Sequence, residues 1–499
     1  MNLIALLLLL PLQSGGLEEA LATAETLASR NNLRGAVSAL EDAGVVESGN
    51  GAAMAAYGNY RMRLLESEVA AGRVRGLDVI DGWADVADVL AAACALPGAP
   101  DSAWVDRSEA LLNGGDEATA LAALDEALAK SADSAVLHMQ RGRVLMALAR
   151  KAEGIGDEEA RNARYAEAEG AFKSAMKAAP KSAAPAERLG ELLWTLWFQG
   201  GNTDDALKQR AIDVWVQAAE RDPMGVDLAN ANAWLAADSV PVLDKLAETR
   251  SDDALVYWYR GMAHHAAGAE HWDAIKADFE KVLALNPQFT NAYFFLADGA
   301  MQRGVWQAQV QGDTDKAAAA YRASAGYWAK YLKDFGDDYR RSLAGQPDGG
   351  RGVAENMNYL AGQLVVRGLF IPEADRAVGI VLLDWTTRTI PDYADAWQNL
   401  GFFCREAGEY PRARDAYQRA HELLPDDPQI MNDYAVIYHF YLQSEDDLAE
   451  ELYRRAIARA EAMLEAGQVP EADLGRIRDS LRDARSNLEK LLQGDRKNG

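Results

Sequence analysis

One stretch near the C-terminal end of the 499-residue sequence, Ala394–Asp427, constrains the fold more than any other. It reads ADAWQNLGFFCREAGEYPRARDAYQRAHELLPDD. Leu400–Gly401 comes first, then Tyr417 between two alanines at helical spacing, and Pro425 closes the stretch. Because residues three and four apart share one face of a helix, the small–aromatic–small row forms a groove with one knob. The spacing predicts a hairpin of two antiparallel helices, whose remaining apolar face a neighbouring hairpin must cover.

The same pattern recurs earlier in the chain. Three upstream copies have the row and its closing proline: Ala168, Phe172, Ala175 and Pro180; Ala211, Trp215, Ala218 and Pro223; Ile275, Phe279, Val282 and Pro287. Proline ends a helix because it lacks the amide donor and clashes with the preceding turn. The closing residues Pro391 and Pro425 lie 34 positions apart. The chain is therefore predicted to be an array of hairpins.

These rows resemble those of the tetratricopeptide-repeat family, which has a period of 34 residues. The resemblance covers most of the chain and is strongest in Ala394–Asp427. It implies an all-α fold, a right-handed α-solenoid of stacked antiparallel helical hairpins. We expect one array over 17–332 and a second over 353–499, ending in a capping helix. Residues 333–352 are expected to be a linker, because their glycines, proline and aspartates disfavour a continuous helix.

In this family the first helices of the hairpins line a concave groove that holds a peptide, a helix or a partner domain. The candidates that the resemblance implies for this groove are Trp258, Met262, His265, Asn291, Phe294, Asp298, Gln398, Phe402, Arg405, Asn432 and Val436. The lysines of a carboxylate clamp are missing from the matching slots. Aromatic and methionine side chains instead suit an apolar or amphipathic segment. Alternatively, Trp258, Phe294 and Phe402 pack between adjacent hairpins.

The sequence provides few groups for catalysis or metal binding. Its densest cluster, His264–His265 with Glu270, His271 and Asp273, has two adjacent histidines that point in different directions on a helix. None of the HExxH, GxSxG and GxxxxGK[ST] motifs occurs. We therefore expect no enzyme, no catalytic residue, no cofactor and no metal. Cys94 and Cys404 are predicted to be buried thiols, since two isolated cysteines make no disulfide framework.

Charge narrows the choice of partner. Lys and Arg number 51 against 76 Asp and Glu, so the formal net charge is −25. Such a field repels nucleic-acid phosphates and anionic lipids, so we expect neither partner. A basic stretch with Arg340, Arg341 and Arg351 is interpreted as part of a solvated linker. Two functions remain: a scaffold that binds a peptide, helix or partner protein, or a ligand- or peptide-binding receptor component that feeds a transporter.

The N-terminal segment 1–16 has features of a signal peptide. Its apolar run Leu3–Leu10 is too short to span a bilayer but has the length of a signal core, and Ser14, Gly15 and Gly16 are small enough for cleavage. No Lys or Arg precedes the run, so an uncleaved helical start is the alternative. We expect export to the periplasm, the cell envelope or the medium, with no membrane span in the mature chain; without cleavage the protein would be cytoplasmic.

Export can be tested by sequencing the N-terminus of the full-length protein after its expression in a bacterial host. We expect the mature chain to begin close to Leu17 and to fractionate outside the cytoplasm. Leu6→Arg, which places a charge in the apolar run, should block export and leave Met1 in place. A wild-type chain that keeps Met1 and stays in the cytoplasm would contradict the prediction.

Overall fold

A computed structural model describes residues 14–365, 371–467 and 469–496 of the protein. Every regular element among these residues is a helix, and the helices form two compact units, Met1–Ser251 and Asp252–Gly499. In each unit consecutive helices pack as antiparallel hairpins, and the hairpins stack on one another. The predicted all-α solenoid of stacked hairpins is confirmed. The apolar run of the predicted signal peptide lies outside the described residues.

The first unit contains α1 to α12. They are α1 Ser14–Ser29, α2 Leu33–Asp42, α3 Gly51–Ala70, α4 Leu77–Ala95, α5 Asp101–Asn113, α6 Glu117–Lys130, α7 Ala135–Gly154, α8 Glu158–Ala178, α9 Ala184–Gln199, α10 Asp205–Arg221, α11 Leu228–Leu235 and α12 Val240–Thr249. Short 3-10 segments lie at Val45–Glu47 and Ala236–Ser239.

The second unit contains α13 to α23. They are α13 Ala254–Ala267, α14 Trp272–Leu285, α15 Ala292–Trp306, α16 Thr314–Leu343, α17 Arg351–Gly362, α18 Glu373–Thr389, α19 Ala394–Glu406, α20 Tyr410–Leu423, α21 Pro428–Val436, α22 Asp446–Glu465 and α23 Glu471–Leu492. A 3-10 turn precedes α14 at Ala269–His271, and π-helical segments follow α15 at Gln307–Gln311 and α21 at Ile437–Leu442.

The helix ends follow from local sequence. Several helices begin after an Asp or Asn whose side chain accepts a hydrogen bond from an amide of the first turn. Asp116 accepts from Thr119 N at 3.1 Å, and Asp204 accepts from Leu207 N at 2.9 Å. Helices α8, α10, α14, α18 and α20 each end two residues before a proline. The closing role predicted for these prolines is therefore confirmed.

Within a hairpin, a glycine of the first helix lies against an aromatic ring of the second. The pairs are Gly142 with Phe172, Gly190 with Trp215, Gly261 with Phe279, Gly304 with Tyr321, and Gly401 with Tyr417. A Cβ built on these glycines would lie 2.4, 2.5, 3.0, 2.4 and 2.8 Å from the nearest ring atom. Since these separations are shorter than van der Waals contact, only glycine fits. The ring fills the space that the missing side chain leaves.

The pairing in the hairpin of α15 and α16 differs from that of the other four hairpins. There Ala297 followed Leu296 where other copies have glycine. In the structure the ring of Tyr321 packs on Gly304 instead, and Ser324 Oγ donates to the Ala297 carbonyl at 2.7 Å. A glycine about two turns beyond Ala297 in α15 thus lies opposite the ring.

Residues 333–343 of the predicted linker are helical, because α16 continues without a break to Leu343. Tertiary contacts account for this extension: Trp385 Nε1 donates to the Gly336 carbonyl at 2.8 Å, and the Tyr339 ring stacks on Trp385 at 5.7 Å. The turn comes later, just before α17, where Asp348 accepts hydrogen bonds from Gly350 N at 3.0 Å and Gly352 N at 3.1 Å. The domain limits 17–332 and 353–499 stay predictions, and the compact units described above divide at Ser251 instead.

The last helix, α23, packs on α21 and α22 and buries Ile477 and Ala484. Behind it, His439 of the second π-helical segment is fully buried. Burial lowers the pKa of His439. Its Nε2 lies 2.9 Å from the carbonyl oxygen of Asp495, so the imidazole ties the chain that follows α23 to the array.

Both cysteines are free and buried, as predicted. Burial raises the pKa of the Cys94 thiol to about 11 and that of the Cys404 thiol to about 12. A thiol with such a pKa is protonated at neutral pH and is a poor nucleophile. Both side chains therefore serve as small apolar residues of the core.

The glycine–aromatic contact can be tested in the hairpin of α7 and α8. Gly142→Ala should destabilise the protein by about 1 to 3 kcal/mol, because the new methyl group would overlap the Phe172 ring. Gly170→Ala on the exposed side of α8 is the matched control. No atom lies within 4 Å of its added Cβ, and Ala should stabilise the helix by up to about 1 kcal/mol. Urea denaturation followed by circular dichroism measures both, and equal stabilisation by the two substitutions would disprove the close-contact account.

Candidate functional site

In the second unit, α17, α19, α21 and α23 carry polar side chains that are hydrogen-bonded from one helix to the next. We call this series the polar row. Bonds of 2.9, 2.9 and 3.1 Å join Asn399 to Asn358, Gln398 to Asp433, and Asn487 to Asn432. All of these side chains except Asn432 are partly exposed. The row therefore combines fixed positions with groups that solvent or a partner can reach.

Arg405 of α19 lies beside the polar row in an aromatic setting. Its guanidinium is 4.9 Å from the ring centre of Phe402 and 5.7 Å from that of Tyr441. It also pairs with Glu406 at 2.9 Å, and its side chain is only 16% exposed. The rings hold the guanidinium plane, while Phe402 itself stays partly exposed. We call Phe402, Arg405, Glu406 and Tyr441 the Arg405 cluster.

Below the Arg405 cluster lies the fully buried ring of Tyr417. Its hydroxyl has no hydrogen-bond partner among the described residues. Burial raises the pKa of this phenol well above its ordinary value, so the group is neutral. The same ring packs on Gly401, so the contact between α19 and α20 also supports the Arg405 cluster from the core side.

Asp433 is the one acidic member of the polar row. Burial raises the pKa of its carboxyl group, although hydrogen bonds from Gln398 and Asn432 and the charge of Arg405 act in the opposite direction. The amide of Asn432 is 3.5 Å from Asp433 Oδ1, so this bond is weak. Ionisation of this carboxyl group in the folded protein therefore costs folding free energy.

The predicted candidates of α13 and α15 lie in a different environment. Trp258 is partly exposed and packs edge to face on Phe279, Phe289 and Phe295 at 4.6 to 5.5 Å between ring centres. Met262 packs against the same cluster. Such contacts are expected under the alternative interpretation, in which the aromatic residues pack between adjacent hairpins.

Phe294 is likewise surrounded by rings, with Trp328, Tyr331 and Tyr339 at 5.4 to 6.1 Å. Between α13 and α15, His265 Nε2 lies 2.8 Å from Asp298 Oδ2. Gln302 Nε2 of α15 donates to the same oxygen at 2.7 Å. Asn291 is exposed at the start of α15. Among these candidates, only His265 and Asp298 are joined by a hydrogen bond.

The structure brings together four of the five candidates in the C-terminal hairpins. Gln398 enters the polar row, and Phe402 and Arg405 form one cluster. Asn432 joins the row through its oxygen but is 7% exposed, and Val436 is 7% exposed as well. The groove role of the eleven candidates stays a prediction.

Sequence reasoning missed Asp433, Asn358, Asn487 and Tyr441. For Asp433 a signal was present, because an aspartate in the largely apolar stretch Ile430–Phe440 is expected to be paired or functional. The asparagines had no such signal, since an asparagine on a helix is usually exposed. Only their positions on neighbouring helices show that they bond to one another.

The histidine cluster and the basic stretch noted in the sequence each contact neighbouring side chains. His264 stacks on His271 at 6.0 Å, and His265 is bonded to Asp298. Within the described part of the chain, no group of three or more His, Cys, Asp or Glu is placed to hold a metal ion. The stretch with Arg340, Arg341 and Arg351 is ion-paired with aspartates. No described helix is both long and apolar enough to cross a bilayer.

Comparisons with known proteins agree with the hairpin pattern. Residues 394–437 match the family model described as tetratricopeptide repeat. No curated protein matches the sequence. Among solved structures, the chain is similar to yeast Tom70 at 13% identity, covering 96% of this chain and 98% of that chain with a TM-score of 0.21.

Two further solved structures cover a smaller part of this chain. One is YrrB, described as a TPR protein with an unusual peptide-binding site, at 15% identity and a TM-score of 0.25. The match covers 46% of this chain and 100% of that chain. The C-terminal part of a TPR repeat-containing protein from Cytophaga hutchinsonii has 16% identity, 59% and 99% coverage, and a TM-score of 0.32. At such TM-scores these likenesses support no inference about a partner.

The cost of the Asp433 charge can be tested with Asp433→Asn. Because the folded-state pKa is raised, the folded protein binds this proton more tightly than the unfolded chain does. Stability is therefore lost as pH rises through the ordinary value of 3.8, and the loss is complete above the folded-state pKa. The variant should be more stable than wild type at pH 7, and the difference should shrink as pH falls towards 4.

Urea denaturation and hydrogen exchange of the α21 amides measure this difference. Asp334→Asn is the matched control, since Asp334 is exposed and forms no ion pair with another described residue. Its effect should stay within about 0.5 kcal/mol at every pH. A lower stability of Asp433→Asn at pH 7 would show that the charge stabilises the fold.

Proposed function

We propose that this chain, in which residues 394–437 match the tetratricopeptide-repeat model, is a non-catalytic scaffold that holds a peptide, a helix or a segment of a partner protein. The binding surface is the first-helix face of the second unit, formed by the polar row and the Arg405 cluster. The observation that carries the proposal is the hydrogen-bonded polar row, which runs across four helices and is partly exposed.

The chemistry of the row suits the main chain of an extended segment or the free main-chain groups at a helix end. A carboxamide has two donor hydrogens and an acceptor oxygen, so one that is bonded to its neighbour still has groups left for a partner. Because neighbouring side chains fix its orientation, little side-chain entropy is lost when a partner binds. A row of such groups contacts main-chain amides irrespective of the partner's side chains.

The Arg405 cluster supplies selectivity. Its exposed element is the ring of Phe402, which can contact an apolar side chain of the partner. Arg405 is already paired with Glu406 and positioned by two rings, so it can donate to a carbonyl or carboxylate without a large rearrangement. The unfavourable charge of Asp433 fits this role, since binding sites often retain groups that cost stability.

We also propose that the protein acts outside the cytoplasm, on the basis of the apolar run Leu3–Leu10. The scaffold proposal does not depend on this location. Sequencing of the mature N-terminus, described above, separates the two questions.

The scaffold proposal predicts that Phe402→Ala with Arg405→Ala weakens partner capture at least tenfold, because the two side chains form one contact surface. The matched control is Arg414→Ala with Gln418→Ala on α20, outside the polar row and the Arg405 cluster. Affinity pull-down from native extract, with quantitative mass spectrometry, measures capture by each form. Circular dichroism shows whether the array stays folded.

Unchanged capture by the folded Phe402/Arg405 double variant would contradict the proposal. Equal loss in the α20 control would show that the effect is not specific to the first-helix face. Native mass spectrometry of the same material detects any bound small molecule, which would instead favour a ligand receptor.

A further inference from the structure

A cavity of about 250 Å³ lies in the second unit among α14, α15, α16 and the π-helical segment Gln307–Gln311. None of its lining residues belongs to the polar row or to the Arg405 cluster. The lining comprises Trp272, Lys276, Arg303, Gln307, Lys316, Ala319, Ala320, Ala323 and Tyr327. It is therefore a separate feature, which the scaffold function does not use.

The lining is cationic in a protein that is strongly anionic overall. It contains Lys276, Arg303 and Lys316 and no carboxylate, whereas the whole chain has a net charge of −25. Lys276 has only a long contact of 3.9 Å to Glu280, and Lys316 pairs with Asp313 at 2.8 Å. Both of these carboxylates lie outside the lining. A local excess of positive charge on such a chain favours an anionic ligand.

Arg303 is fixed in place by neutral groups. Its guanidinium lies 4.4 Å from the ring centre of Trp306, and Nη1 donates to the Ala269 carbonyl at 3.4 Å. In its favourable orientation, the side-chain amide of Gln307 directs its oxygen towards Arg303. This oxygen accepts hydrogen bonds from Arg303 Nε at 3.2 Å and from Nη2 at 3.1 Å. These partners orient the guanidinium without neutralising its charge. Among the described residues, no carboxylate forms an ion pair with it.

The remaining walls are apolar and flat. Trp272 and Tyr327 contribute partly exposed rings, and three alanines of α16 leave room beside them. A cavity of about 150 Å³ holds benzene, so the volume here accommodates one ring and an attached anionic group. The buried Gln307 stands in a π-helical segment, a distortion that occurs often at functional sites.

We propose that this cavity binds a small organic anion, a carboxylate or phosphate on a flat apolar body. The anionic group contacts Arg303 and the two lysines, and the apolar body packs against Trp272 and Tyr327. The ligand is either a free small molecule or the side chain of a bound peptide, and both sources present the same chemistry.

Isothermal titration calorimetry of the full chain with phenyl phosphate tests the site. We expect phenyl phosphate to bind at least tenfold more tightly than the neutral benzyl alcohol, and more tightly than inorganic phosphate. Binding should weaken as sodium chloride is raised, because the cations are partly exposed. If benzyl alcohol binds as well as phenyl phosphate, the proposal is wrong.

Two variants assign the binding to the cavity. Arg303→Gln should weaken phenyl phosphate about tenfold or more through the lost charge-assisted hydrogen bonds. Lys276→Gln with Lys316→Gln should weaken it severalfold, and this variant decides the test if Arg303→Gln does not fold. Lys333→Gln removes the same charge from an exposed position of α16 outside the cavity and should bind as wild type does. Wild-type affinity in both cavity variants would overturn the proposal.

A short blocked peptide that contains phosphotyrosine distinguishes the two sources. Tighter binding of the peptide than of phenyl phosphate assigns the site to a protein side chain, and equal or weaker binding assigns it to a free anion. If phenyl phosphate does not bind, the scaffold proposal is unaffected, because Phe402 and Arg405 take no part in the cavity.

Discussion

The contact between a first-helix glycine and a second-helix aromatic ring sets the geometry of the hairpins that contain it. It lets the two backbones approach closely, and the ring fills the space where a side chain would otherwise stand. Glycine costs a helix about 1 kcal/mol relative to alanine, so this packing must offset the loss. The five pairs from Gly142–Phe172 to Gly401–Tyr417 therefore fix how each of these hairpins closes, and with it the faces that remain for stacking.

Once hairpins stack, side chains on equivalent turns of neighbouring first helices come within hydrogen-bonding distance. The polar row arises in this way, since Asn358 of α17, Gln398 of α19 and Asn487 of α23 are far apart in sequence, but each bonds to a residue of a neighbouring helix in the array. The glycine contact supports the site directly at one point, where the Tyr417 ring that packs on Gly401 lies beneath Arg405. The helix pair α19 and α20 thus contributes both to the core and to the proposed binding surface.

Local pattern failed where tertiary contacts outweighed it. The glycines and aspartates of 333–343 disfavour a helix in isolation, but the Gly336 carbonyl accepts from Trp385 and Tyr339 stacks on that ring, so α16 continues. Phe294 stays a groove candidate by its spacing, although three rings from α16 surround it in the structure. Spacing alone identifies the face of a helix but not the neighbours that cover it.

The sequence by itself determined the all-α class, the hairpin unit, the prolines that end it and the burial of both cysteines. Each of these depends on residues within one repeat, where covalent spacing and helical periodicity leave little choice. The tertiary structure decided which polar side chains meet, how Asp433 is hydrogen-bonded, where Arg303 is fixed and which aromatic residues remain exposed. These properties depend on distances between residues from different repeats, and such distances follow from the stacking of whole helices.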